Sequence, residues 1–130
     1  MTLRSPCLCL VTNRTLCRTA SLESTVASAV QGGVDMVQLR EKDLPSGSLL
    51  ELAFRLKSVI SPDTLFIVNE RVDVAMACDA QGVQLSEGGL PVASVRNLVG
   101  PDLLIGRSVH SMESALRAEQ DGADFLIAGA

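Results

Sequence analysis

Residues 32–44 read GGVDMVQLREKDL. Gly32-Gly33 closes a helical pattern, as glycines commonly do just past a helix end. Met36-Val37-Gln38-Leu39 is a short apolar run of strand character, and Arg40-Glu41-Lys42 finishes it with charge. The same order of features returns twice more. Asp79-Ala80-Gln81-Gly82 leads into Val83-Gln84-Leu85, and Gly122-Ala123-Asp124 leads into Phe125-Leu126-Ile127-Ala128. A helix ending in small and acidic residues before a short apolar strand is the unit of an α/β protein.

Working outward from this segment, apolar runs predict strands over 7–11, 36–39, 65–68, 82–85, 103–105 and 125–128. Helical spacing of apolar residues predicts helices over 22–31, 48–58, 72–78, 92–99 and 112–120. Ser21 and Ser111 are expected N-caps, Ser24 leaving the capping box at Ser21 incomplete, and Pro91 stands near a helix start, where a missing N–H does no harm. Strands this short and apolar suit a parallel sheet covered on both faces. No linker or low-complexity segment interrupts the series, so residues 1–130 are expected to form one domain.

Strand-helix units of this length build a doubly wound sheet or a closed barrel. The doubly wound reading expects a glycine-rich turn after the first strand. Thr12-Asn13-Arg14-Thr15 stands there instead, without glycine. A barrel expects polar groups at the C-terminal strand ends, where such folds keep their active sites. Four consecutive strands end that way: Gln38 to Lys42, Asn69-Glu70-Arg71, Gln84 to Glu87, and Gly106-Arg107-Ser108. A complete barrel needs about 200 residues or more. The fold expected is therefore a TIM (β/α)8 barrel truncated after about the sixth strand.

The 130 residues are 47% hydrophobic and only 2% aromatic, so the core must be aliphatic. Fifteen acids against eleven bases give a net charge of −4, against a nucleic-acid partner, which calls for clustered positive charge. No apolar run approaches the ~20 residues of a membrane helix, and residues 1–11 lack the long apolar core of a signal peptide. Cys7, Cys9, Cys17 and Cys78 are not spaced as a disulfide framework. Cys7-Leu8-Cys9 on a strand puts both thiols on one face, open to a metal or redox pairing or to simple burial. One histidine, His110, excludes metal sites built from several. These features together read as a reduced, cytoplasmic protein.

Three segments carry chemistry. Gln38, Arg40 and Lys42 alternate along an extended segment and so share one side. Two cations beside an amide suit a pyrophosphate; a solvated charged loop is the alternative, since Glu41 and Asp43 lie among them. Asn69-Glu70 can hold a phosphate oxygen and a Mg²⁺, which takes one or two carboxylates plus substrate phosphates; Asn69 equally suits an N-cap for the next helix. Ser108 can donate to a phosphate, with Gly106 allowing close approach, while His110 has no acid at a telling spacing to orient it. No catalytic nucleophile is evident.

GGVDMVQLREKDL, LFIVNERVDVAMA, GVQLSEGGLPV and LLIGRSVHS, in that order, resemble the thiamine phosphate synthase family, which includes the TenI-type thiazole tautomerases. The resemblance runs from CLCLVTNR to GADFLIAGA. It implies a (β/α)8 barrel that joins a hydroxymethylpyrimidine pyrophosphate to a thiazole phosphate, releasing pyrophosphate. It places Gln38, Arg40, Lys42, Asn69 and Ser108 against the pyrimidine pyrophosphate, and Glu70 at a Mg²⁺ ligand. Two departures point to a weakened Mg²⁺ site. Glu70 stands for the family's first aspartate, and Gly89 for its second, with Glu87 as a nearby substitute. The tautomerase histidine would fall at Ala130. The resemblance also leaves room for a TenI-type tautomerase or regulator, or for a non-catalytic barrel fragment. Open strand edges are expected to make the 130-residue chain self-associate.

Overall fold

The computed structural model describes residues 3–129. Its elements are β1 (Cys9–Val11), α1 (Leu22–Gln31), β2 (Met36–Leu39), α2 (Ser46–Val59), β3 (Leu65–Asn69), α3 (Val72–Ala77), β4 (Gly82–Leu85), α4 (Val92–Val99), β5 (Leu104–Val109), α5 (Met112–Gln120) and β6 (Phe125–Ala128). A 3₁₀ turn, Arg14–Leu16, follows β1. The six strands form one sheet in the order β1-β2-β3-β4-β5-β6, every neighbouring pair parallel. Sequential order without reversal is barrel topology; a doubly wound sheet would reverse direction at a switch point.

The helices cover one face of the sheet only, which corrects the expectation of cover on both. Val37, Leu39, Phe66, Val68, Val83, Leu85 and Ile105 pack with Leu22 and Val26 of α1, Leu52 and Leu56 of α2, Val74 of α3 and Val95 of α4. The alternate strand residues turn to the inner face, where Met36, Leu65 and Ile67 cluster with Cys9, Leu104 and Phe125. Period-two alternation then carries Gln38, Asn69, Gln84 and Ser108 to that inner face as well, one or two steps nearer the C-terminal strand ends. The inner face is thus apolar at its N-terminal end and polar at its C-terminal end.

The element bounds differ from the reading of the sequence in instructive places. β1 begins at Cys9 rather than at residue 7, so Cys7 precedes the strand and is exposed. β5 extends through Gly106-Arg107-Ser108 to Val109, because β4 pairs with it as far as Arg107 and β6 pairs with it from Gly106 to Val109. Asn69 is not an N-cap. It remains in β3, paired with Gln84, and Glu70 turns the chain with φ +64° before α3 starts behind Arg71. At α5, Ser111 and Ser114 form a complete reciprocal capping box, and at α1 Ser21 accepts from the Ser24 N–H.

The repeated acidic and amide residues before the strands have one job at the N-terminal strand ends. The Asp35 N–H donates to the Leu8 carbonyl, while the Leu8 N–H donates to Asp35 Oδ2 at 2.8 Å. Gln81 makes the same two-way contact with Phe66, and Asp124 makes it with Ile105. Each side chain satisfies a strand N–H that the parallel ladder leaves open.

Candidate functional site

At the C-terminal strand ends, the segment after β2 is fastened by a buried carboxylate. The Glu41 side chain is 2% exposed. It accepts the Thr12 hydroxyl at 2.7 Å, the Arg14 backbone N–H at 3.1 Å, and the Arg14 guanidinium at 2.9 Å. Thr12 Oγ1 in turn accepts the Arg40 backbone N–H at 2.9 Å. Arg14 also grips Asp43, whose carboxyl it holds below the ordinary range chiefly by that hydrogen bond. The segment is therefore not a solvated charged loop: Glu41 is locked inward, and its two cationic neighbours are left outside.

Arg40 and Lys42 are exposed and make no ion pair or side-chain hydrogen bond among the described residues, whereas Arg14, Arg71, Arg96 and Arg117 each hold a carboxylate. Lys42 does not stay in line with Gln38. β2 ends at Leu39, and Lys42 lies in the turn beyond it. There it lines a cavity of about 310 Å³ together with Glu41, Asn69, Glu70, Arg71 and Ser86. The Arg71 guanidinium spans this rim, donating to Ser46 Oγ at 2.7 Å and to Asp73. Sequence reasoning gave no role to Glu41, Arg71 or Ser86; the segment NER, with an arginine next to the expected anion site, was the available signal for Arg71.

Gln38 and Gln84 are both buried, at 3% and 2% exposure, on the inner face of β2 and β4. Asn69 lies between them on β3, and Ser108 lies beyond Gln84 on β5. Gln84 Nε2 donates to Ser108 Oγ at 3.0 Å. Gln38, Asn69, Gln84 and Ser108 thus place one carboxamide or hydroxyl on each of four successive strands. Arg40 and Lys42 extend the set outward from β2.

With Glu41 taken up by Thr12 and Arg14, the residues lining this rim offer a cation one carboxylate, Glu70. Glu70 Oε2 accepts the Ser86 N–H at 2.7 Å, and Oε1 accepts the Ser86 hydroxyl at 3.1 Å. A side chain at Gly89 would collide with Glu70 Oε1, so the longer acid fills the space that Gly89 leaves. Among the described residues no three His, Cys, Asp or Glu side chains converge. One carboxylate with spare lone pairs fits an ion that draws its other ligands from phosphates and water. Glu87 faces elsewhere. It accepts the His110 N–H at 2.8 Å and lines a separate cavity with Arg107, Ser108 and Ser114, where hydrogen bonds hold its carboxyl below the ordinary range. The His110 ring lies against Gly129, and Ala130 is outside the described residues. Cys9, on the inner face, has its thiol pushed up to about 11 by burial.

Residues 8–130 match the family model described as thiamine monophosphate synthase. The thiamine-phosphate synthase of Caldanaerobacter subterraneus subsp. tengcongensis is 42% identical over 120 residues, covering 92% of this chain and 56% of that protein. The thiamine-phosphate synthase of Gloeobacter violaceus is 49% identical over 105 residues, covering 80% of this chain and 31% of that protein. Among solved structures, thiamine phosphate pyrophosphorylase from Pyrococcus furiosus superposes with a TM-score of 0.86 at 39% identity, covering 95% of this chain and 60% of that one. Phosphoribosyl anthranilate isomerase from Thermotoga maritima, at 19% identity and a TM-score of 0.60, shares the fold alone. The chain spans between about a third and three fifths of the length of these relatives.

Proposed function

The chain belongs to the thiamine monophosphate synthase family, and we propose that it carries the pyrimidine-pyrophosphate half of a thiamine phosphate synthase site. The reaction in this reading is the coupling of hydroxymethylpyrimidine pyrophosphate to a thiazole phosphate. The observation that supports it is the pair of cations after β2, Arg40 and Lys42, unneutralised among the described residues while the neighbouring arginines are paired; Lys42 and Asn69 line one cavity, and Ser108 stands two strands further along the same strand ends, at the adjoining one. A pyrophosphate is the ligand that such a rim favours.

The C–O bond between the pyrimidine methylene and pyrophosphate breaks with its electron pair going to the departing oxygen. Arg40 and Lys42 stabilise that charge, and Asn69 and Ser108 hydrogen-bond phosphate oxygens. Gln38, buried beside them, holds the pyrimidine ring through its amide. The thiazole nitrogen then donates its electron pair to the methylene cation, so placement replaces a protein nucleophile. Glu70 is the carboxylate that would hold a Mg²⁺ at the phosphates, and such an ion would add to the neutralisation of the leaving group. With Gly89 contributing no ligand, this site is weaker than one with two carboxylates.

The thiazole phosphate, a cytoplasmic location and self-association belong to the same proposal. No helix among the described residues is long and apolar enough to cross a membrane. Leu126 and Ile127 on the edge strand β6 are each 39% exposed, as an association surface requires. Sedimentation of the 130-residue chain is expected to show oligomers, and a sharply melting monomer would remove that part. The function itself is tested by calorimetric titration with hydroxymethylpyrimidine pyrophosphate. Binding that Lys42→Ala weakens by roughly 1.5–3 kcal/mol is expected; absence of binding would overturn the reading.

A further inference from the structure

Gln84 carries an unexplained polar atom. Its Oε1 is the buried side-chain oxygen that lacks any hydrogen-bond partner among the described residues. The amide reaches this position because Gly106, its register partner on β5, has no side chain. A Cβ there would collide with Gln84 Oε1 and with the Phe125 ring. The sequence has therefore cleared space for an amide whose oxygen gains nothing from the fold. Buried polar groups are nearly always satisfied, and an exception calls for a reason.

The reason lies on the other end of the same amide. Gln84 Nε2 donates to Ser108 Oγ at 3.0 Å. A hydroxyl has one proton to give. Because Ser108 is the acceptor in its contact with Gln84, that proton stays available to a third group. The Gln84 backbone carbonyl also accepts the Glu70 N–H at 2.7 Å, so Gln84 is braced between Asn69-Glu70 and Ser108.

We propose that Gln84 is a positioning residue that keeps the Ser108 hydroxyl a hydrogen-bond donor toward a phosphoryl oxygen of the substrate. The unpartnered oxygen is the stability given up for that polarity. This rests on the reading of the site as a pyrophosphate site. It goes further by assigning a role to a residue that does not itself touch the ligand.

The test uses inorganic pyrophosphate titrated into the 130-residue chain and its variants, with thermal melts alongside. Gln84→Met removes the amide and leaves no orphaned oxygen, so it is expected to melt no lower than the parent. Its pyrophosphate affinity is nevertheless expected to fall about tenfold, near the value of one charge-assisted hydrogen bond. Ser108→Ala should lose a similar factor, and the double variant should be no weaker than either single one. Gln84→His, which retains an N–H donor, should recover most of the affinity. Additive losses, or a Gln84→Met variant that binds like the parent, would overturn the proposal and leave the pyrophosphate site standing. A parent chain that binds no pyrophosphate would overturn both.

Discussion

The two ends of the strands use the same kinds of residue for opposite purposes. At the N-terminal ends, Asp35, Gln81 and Asp124 each return a hydrogen bond to the strand that precedes them, and Asp124 also holds Arg96 at 2.6 Å. At the C-terminal ends, among the described residues, Arg40 and Lys42 hold nothing, the Asn69 side chain makes no hydrogen bond, and Gln84 Oε1 has no partner. An amide that completes a backbone ladder contributes to stability. An amide left incomplete in a buried place keeps its capacity for something that arrives later. In barrels of this kind, binding collects at one end of the strands and stability at the other. Here the two ends differ in how completely their polar side chains are hydrogen-bonded within the fold, in the sense that such a division would require.

The comparison is best broken at the strongest point of each end. Replacing Arg40 and Lys42 together by alanine is expected to lower pyrophosphate affinity by roughly 3–6 kcal/mol, about hundredfold or more, since each charge-assisted contact is worth roughly 1.5–3 kcal/mol. The melting temperature should hardly move, because neither side chain bonds to any of the described residues. Calorimetry and a thermal melt on the same sample would show whether the two quantities separate.

Glu41 is where the two purposes meet. Glu41→Ala leaves Arg14 without its buried partner and the Thr12 hydroxyl without its acceptor, which loosens the Thr12 oxygen that accepts the Arg40 backbone N–H. A stability loss of about 3 kcal/mol is expected, on the scale of a broken buried ion pair, together with weaker pyrophosphate binding. Denaturant unfolding would detect the first effect. A variant as stable as the parent would mean that the buried carboxylate fastens nothing.

Gln81→Leu tests the N-terminal end. It orphans the Phe66 N–H and should cost about 1–3 kcal/mol of stability while leaving pyrophosphate affinity unchanged. A change in affinity would blur the division between the ends.

The smallest effect is that of acid on the surface pairs. The carboxyls of Asp43 and Asp73 are held below their ordinary value of 3.8, mainly by hydrogen bonds from Arg14 and Arg71. A depressed folded value means that these contacts contribute fully above 3.8 and are lost as the pH falls through the lower folded value. NMR titration should show both carboxylates charging below 3.8, with the segments around 43 and 73 loosening only there.

Much of this was legible in the sequence. The apolar runs MVQL and GVQL marked strands but not which face each residue takes, and the missing glycines after β1 with the polar strand ends pointed to a barrel. The repeated Asp35, Gln81 and Asp124 positions were visible as a pattern, but their task was not, because it depends on parallel register between neighbouring strands. In the sequence Glu41 belongs to a charged run. Its burial comes from Thr12 and Arg14, 29 and 27 residues away, and no local pattern reports such a pairing. Asn69 was open between cap and ligand, and the pairing of β3 with β4 decided against the cap. Glu70 filling the space at Gly89 required coordinates, since 70 and 89 are brought together only by the loops after β3 and β4.

The central claim is that ligand binding belongs to one end of the strands. Titrating inorganic pyrophosphate into isotopically labelled chain and following amide resonances tests it most directly. The account predicts shifts at residues 38–42, 69–71, 84–86 and 106–108, with Asp35, Gln81 and Asp124 unmoved. Shifts centred on those last three residues, or no shifts at millimolar pyrophosphate, would contradict it.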